Sequence, residues 1–161
     1  METLKVRISD LAVVRNEGIL ITVGLGSCVG IALYDSDNKV GGLAHILLPD
    51  SNQFQNKLNS FNPAKFANTA VPLLMKEMSR IGGARSCFKA KIAGGGRLFA
   101  FKKAGISVGE KNVEAVRKVL TQLGIPLRGE DVGGSHGRTM RLFVDSGKVI
   151  VSTVGKIEKE L

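Results

Sequence analysis

The stretch Thr22–Pro49, TVGLGSCVGIALYDSDNKVGGLAHILLP, decides how this chain is to be read. Two apolar runs, Val29–Tyr34 and Val40–Leu47, flank the polar tetrad Asp35-Ser36-Asp37-Asn38, and a third, Ile19–Val23, precedes the turn Gly-Leu-Gly-Ser. Short apolar runs bounded by Gly, Asp, Asn and Ser are strand and turn signals. A four-residue loop makes Tyr34 and Lys39 neighbours and sets the register of the hairpin, so that Cys28 falls opposite His45. Directly opposed side chains share a face, with Cβ atoms about 4.5–5.5 Å apart. Gly30 with Leu43 and Ala32 with Gly41 follow on that face, small enough to leave room for a substrate. Val29, Ile31, Leu33 and Val40 read as core. A one-residue error in the loop would put thiol and imidazole on opposite faces.

Cys28 is one of two cysteines and His45 one of two histidines. A free thiol has a pKa of about 8.5, and the thiolate is the nucleophile. A neighbouring imidazole takes the proton, holds the ion pair and later protonates a leaving amine. Gly24, Gly26 and the backbone N–H groups around Ser27 and Cys28 are candidate donors to the oxyanion of a tetrahedral intermediate. A third polar group normally orients the imidazole; Thr22 is the nearest in sequence, although spacing alone does not bring it to His45. The competing reading is an inert buried cysteine and a satisfied histidine. A dinucleotide site is disfavoured, since the glycines miss G-x-G-x-x-G by one residue and a strand follows. No metal is expected either, because no second cysteine or carboxylate pattern surrounds the pair.

The rest of the chain supplies strands in adjacent pairs with two helices inserted, an α+β arrangement. Asn62 caps a helix with Pro63 at its first position, running to about Ile81, which Pro72 should bend or split. Phe88–Ala93 is a strand running into Gly94-Gly95-Gly96. A second helix from about Gly109 to Leu123 sets Val113, Val116, Leu120 and Leu123 on one face and stops at Gly124. Arg138–Val144 and Lys148–Val154 form a hairpin, and residues 155–161 read as a loose charged tail. Cys87 is expected to be buried packing and His136 to face solvent from the GGSHGR loop, with a pocket-lining role open. Asp131 and Glu130, adjacent in a strand, should point to opposite faces.

At 161 residues the chain is expected to form a single domain, 1–161. No run resembles a signal peptide or membrane span, and the cysteines make no disulfide framework, so a cytoplasmic protein with free thiols is expected. The net charge of +9 is uneven: Arg80, Arg85, Lys89, Lys91, Arg97, Lys102 and Lys103 lie in a segment without one acidic residue. This is either a solvated basic face or a docking surface for something acidic. Without a helix-turn-helix, zinc-finger or aromatic RNA-binding signature, nucleic acid is the weakest partner class.

The segments TVGLGSCVGIALYD, GGLAHILLPDS, KIAGGGRLF, VGEKNVEAVRKVL, LGIPLRGEDVGG and GRTMRLFVDSGKV together resemble the CheD family of chemoreceptor glutamine deamidases. The resemblance implies an α/β/β/α sandwich of mostly antiparallel sheets, a cysteine-hydrolase fold similar to that of deamidating toxins, with no cofactor. It implies Cys28 as nucleophile, His45 as base and Thr22 as orienting residue; Ser27 and Gly26 stay the backbone candidates read at the oxyanion. The implied substrates are methyl-accepting chemoreceptors, with receptor methyl esters a further possibility. The implied partner is CheC, a phosphatase acting on phosphorylated CheY. Phe99 and Phe101 are candidate anchors for that partner, or core residues of a strand end. A binding module that engages CheC without catalysis is the alternative function.

Overall fold

A computed structural model of the chain describes residues 1–53, 61–97 and 106–161. The strands are β1 Thr3–Lys5, β2 Asp10–Arg15, β3 Ile19–Leu25, β4 Val29–Asp35, β5 Val40–Ile46, β6 Lys89–Gly94, β7 Leu127–Val132, β8 Arg138–Phe143, β9 Lys148–Ser152 and β10 Lys159–Glu160. The helices are α1 Ala67–Arg80 and α2 Val108–Gln122. Two five-stranded sheets form, ordered β1-β3-β8-β9-β10 and β2-β5-β4-β6-β7. Each is antiparallel except for one parallel pair, β1 with β3 and β6 with β7.

The two sheets stack over one apolar cluster that includes Leu20, Leu25, Cys28, Leu43, Met140 and Leu142. Both helices pack on the other face of the second sheet, where Val29, Ile31, Leu33, Ala44 and Ile46 meet Leu74, Met78, Val116 and Leu120. The α+β sandwich is therefore present, layered helices, sheet, sheet. No described helix supplies a fourth layer over the first sheet, because the apolar stripes of α1 and α2 are both spent on the same sheet face.

Gly41 and Gly42 show how tightly these layers approach. A Cβ on Gly41 would meet Val144 Cγ2 at 2.9 Å, and one on Gly42 would meet Leu74 Cδ1 at 2.7 Å, on the opposite face. Gly30 likewise makes way for Met140 Sδ, 2.8 Å from where its Cβ would be. At Gly30 and Gly41 the space expected for a substrate is instead filled by the facing sheet, whereas Ala32 lines a cavity of about 320 Å³.

The hairpin register differs by two from the expected one: Asp35 pairs with Val40, Tyr34 with Gly41 and Gly30 with His45. The turn begins one residue later because the Asp35 carboxylate accepts the N–H groups of Asp37 at 3.0 Å and Asn38 at 3.1 Å, while Lys39 takes a left-handed φ of 51°. An aspartate closing its own turn in this way sets where the ladder stops. A shift of two preserves the face.

Other boundaries have similar local causes. The first predicted helix breaks at Phe66, not at Pro72: a 3₁₀ turn, Pro63–Lys65, is capped by Asn62, and extended Phe66 bridges to Leu48 before α1 begins. Pro72 lies within α1, which continues past it. Ser107 caps α2 by accepting the Glu110 N–H at 3.2 Å, and Gly124 follows its end with φ 70°. Strands β1, β2 and β7 were not among the expected elements: β1 has three residues, β7 is interrupted by charges and a glycine, and the apolar core of β2, Leu11–Val14, is only four residues long. The final residues are no loose tail, since Lys159 and Glu160 pair with Val151 and Ile150, and the Leu161 N–H reaches Val149 O at 3.0 Å.

Candidate active site

Chain crossing from one sheet to the other creates the site. Strand β3 belongs to the first sheet and β4 to the second, and Gly26-Ser27-Cys28 is the passage between them. Three successive carbonyls of this turn are held: Gly26 O by Gly96 N–H at 2.8 Å, Ser27 O by Asn112 Nδ2 at 2.8 Å, and Cys28 O by Gly95 N–H at 2.8 Å. The glycine run is required by this proximity. Gly94 adopts φ 112°, and a Cβ there would collide with the Cys28 carbonyl.

Thr22 comes from β3, His45 from β5, and they meet with Oγ1 and Nδ1 2.6 Å apart. Thr22 Oγ1 also donates to Val6 O at 2.6 Å. A carbonyl has no proton to give, so the single hydroxyl proton is spent on Val6 and Thr22 accepts from His45 Nδ1–H. This leaves the lone pair on Nε2, which has no hydrogen-bond partner among the described residues. Alternation along β5 puts His45 on the face of Leu43, and Cys28 packs in the same cluster as Leu43. Because Gly30 stands opposite His45, Cys28 is a diagonal neighbour rather than a directly opposed one. No hydrogen bond joins Sγ to Nε2.

Burial sets the protonation states. His45 is 0% exposed and its pKa is lowered to about 4 by desolvation, so the imidazole is neutral near pH 7. Burial pushes the Cys28 thiol up, and its own backbone N–H, donating toward the sulfur, offsets only part of this. The resting pair is thus thiol and neutral imidazole rather than a preformed ion pair.

The remaining candidates separate. The Gly26 N–H donates to Gly24 O at 3.0 Å, so it is already engaged, whereas the Ser27 and Cys28 N–H groups donate to no described carbonyl. Phe99 and Phe101 lie outside the described residues. His136 is exposed and lines a cavity of about 510 Å³ with Gly24, Ser135, Arg138, Thr139 and Thr153; Cys28 is not part of that lining. Cys87 is not buried packing: it is partly exposed and donates to Asp37 Oδ2 at 3.4 Å. Asp35, Asp37 and Cys87 lie together, yet Asp35 serves its turn, also accepting Asn38 Nδ2 and Ala84 N–H at 2.8 Å each. Asp131 and Glu130 do point apart, to Arg138 and Arg117.

Sequence reasoning missed three participants. Val6 offers only its carbonyl, which leaves no mark in sequence. Arg138, 7% exposed, pairs with Asp131 and donates to Gly133 O at 2.7 Å and Gly94 O at 3.4 Å, tying the glycine run to the loop after β7. Asn112 is 0% exposed and donates from Nδ2 to Ser27 O at 2.8 Å and Leu47 O at 3.1 Å. Its Oδ1 is buried without a partner among the described residues, a cost of about 1–3 kcal/mol. Both had a legible signal: a polar residue at an inward position, Arg138 two before Met140 and Asn112 four before Val116.

Comparison with known proteins is consistent across the chain. A family model described as CheD chemotactic sensory transduction matches residues 47–153. A probable chemoreceptor glutamine deamidase CheD of Clostridium botulinum strain Hall is 47% identical over 163 residues, covering 100% of this chain and 99% of the relative. A protein of the same name from Clostridium novyi is 49% identical over 156 residues, covering 96% of this chain and 94% of the relative. The family match begins two residues after His45, so Thr22, Cys28 and His45 fall within the full-length alignments instead.

Proposed function

Because the chain belongs to the CheD family, we propose that it hydrolyses the side-chain amide of glutamines in the cytoplasmic helices of chemoreceptors, leaving glutamate and releasing ammonia. The observation that carries this reading is the 2.6 Å contact of Thr22 with His45 Nδ1, which leaves Nε2 as a free base on the face that Cys28 shares.

The chemistry follows from those parts. As the amide arrives, Nε2 takes the Cys28 proton and the sulfur attacks the amide carbon, forming a tetrahedral oxyanion. The N–H groups of Cys28 and Ser27 receive that oxygen, being the turn donors not committed to a backbone acceptor. The imidazolium, its positive charge shared with Thr22 Oγ1, protonates the departing nitrogen; C–N cleavage gives ammonia and a thioester. Nε2 then deprotonates water, which attacks the thioester carbon, and the proton returns to sulfur as glutamate leaves. No step needs a metal or cofactor. The product is a carboxylate of the kind that receptor methylation uses, so the reaction tunes adaptation.

The test is mass spectrometry of a receptor cytoplasmic fragment incubated with the protein. Replacing –NH₂ by –OH adds about 1 Da at each modified glutamine. The gain is expected with the wild-type protein and not with Cys28→Ala of unchanged melting temperature; equal conversion by Cys28→Ala would remove the nucleophile assignment. The resemblance also carries CheC as a partner, and charge substitution at Phe99 or Phe101, with CheC binding measured beside stability, tests that contact.

A further inference from the structure

We propose that Asn112 is a positioning residue for the reaction: by holding the carbonyls of Ser27 and Leu47 together, it aims the Cys28 N–H as an oxyanion donor and keeps the nucleophile turn aligned with the strand carrying His45. This rests on the deamidase reading above.

The Ser27–Cys28 peptide has one C=O and one N–H, and in a trans peptide these point in opposite directions. None of the described peptide bonds is cis. Anchoring Ser27 O to helix α2 therefore turns the Cys28 N–H away from α2, and that N–H acts to lower the Cys28 thiol pKa against the upward push of burial. Of the three held carbonyls in the turn, the flanking two are secured by backbone N–H groups of Gly96 and Gly95, and the middle one depends on a single side chain.

The same amide nitrogen spends its second proton on Leu47 O, two residues beyond His45. Both partners are carbonyls, which only accept, so the nitrogen must face them whichever way the amide is drawn. One planar –NH₂ thus spans the nucleophile's turn and the base's strand. The unpartnered Oδ1 points the same way. A hydrocarbon of equal size would avoid burying an unsatisfied oxygen, so the amide is accounted for by its two donated bonds.

The experiment compares Asn112→Leu with wild type, both carrying Cys87→Ser so that Cys28 is the only thiol. The expected result is a kcat lowered at least ~10-fold with KM within about twofold, as for a weakened oxyanion donor. Iodoacetamide alkylation of Cys28 is expected to slow at pH 8, with its pH–rate profile displaced upward. A merely structural asparagine would lower the melting temperature but leave kcat per folded molecule and the alkylation profile unchanged, and that result overturns the proposal. If Asn112→Leu does not fold, Asn112→Asp, isosteric and without N–H donors at pH 8, is measured below its melting temperature against the same criteria. Equal ammonia release by wild type and either folded variant sinks the positioning role and leaves the deamidase reading intact. An Asn112-dependent alkylation profile without any ammonia from wild type does the reverse.

Discussion

Thr22 Oγ1 and His45 Nδ1 lie 2.6 Å apart although their strands belong to different sheets. The contact is possible because β3 and β5 face each other across the apolar layer, and its polarity is dictated by Val6 O, which takes the hydroxyl proton. Thr22→Val keeps the shape and removes the acceptor, so the imidazole loses its preference for the Nδ1–H tautomer. We expect kcat for deamidation to fall roughly 10²-fold, the scale of general-base assistance. An unchanged kcat would mean that Thr22 packs but does not orient.

Burial of His45 should make deamidation tolerant of acid. With the pKa lowered to about 4, the base stays neutral through pH 5, and the acid limb of kcat/KM is expected near pH 4 rather than near 6.5. The same burial costs stability. In the unfolded chain His45 takes a proton below about pH 6.5, while the folded chain refuses one until about pH 4, so stability contributed by this group is complete above pH 6.5 and is lost as pH falls toward 4. The loss is roughly 3 kcal/mol at about 1.4 kcal/mol per pH unit. Melting temperatures of wild type and His45→Gln over pH 4–7 check this; the variant should show the shallower decline.

Gly94→Ala should damage the site from behind. The new Cβ is forced against the Cys28 carbonyl in a left-handed conformation, so the turn must move. Strain of this kind costs about 1–3 kcal/mol. Activity per folded molecule is expected to drop along with the melting temperature, whereas Gly137→Ala, whose Cβ would meet nothing within 4 Å, should change neither.

Asp35 sets the register that aligns His45 with Gly30. Burial by itself would raise its pKa, but the N–H groups of Ala84, Asn38 and Asp37 outweigh this and hold the carboxylate below the usual range. Stability from Asp35 is therefore present above its unfolded pKa near 4 and lost as pH falls through the lower folded value. Asp35→Ala takes a charged acceptor from the part-buried N–H groups of Asp37, Asn38 and Ala84 and should cost about 1–3 kcal/mol, measurable by urea denaturation. A loss near zero would mean that the turn holds without its carboxylate.

The basic segment should show itself in salt dependence. Lys89, Lys91 and Arg128 border a cavity of about 320 Å³ whose lining includes no acidic residue. If positive charge steers an acidic receptor helix, kcat/KM falls as ionic strength rises, with kcat little changed, because screening is already substantial at about 10 Å in 0.1 M salt. A salt-independent kcat/KM would assign these residues to a solvated face.

Much of this was legible in the chain. Short apolar runs in VGIALYD and VGGLAHI, bounded by turn residues, placed the strands, and their faces held because the register error was an even one. Gly124 marked the end of helix α2 through cap chemistry that is local, and apolar spacing marked its inward face. The register itself was not legible, because it turns on whether the Asp35 side chain closes its own turn. Phe66 escaped notice because a long-range bridge to Leu48 overrides a continuous helical pattern.

For the site, residue order singled out the candidate groups, a thiol after a glycine turn and an imidazole on the neighbouring strand, while Thr22 as orienting residue came from the family resemblance. Folding alone decided that Thr22 crosses between sheets to His45, that Val6 settles the tautomer, and that Asn112 grips the turn from a helix 85 residues away in sequence from Ser27. The reason is physical. Periodicity and capping are written within a few residues of where they act, whereas hydrogen bonds between sheets depend on how separate layers stack, and backbone carbonyls are the same at every position.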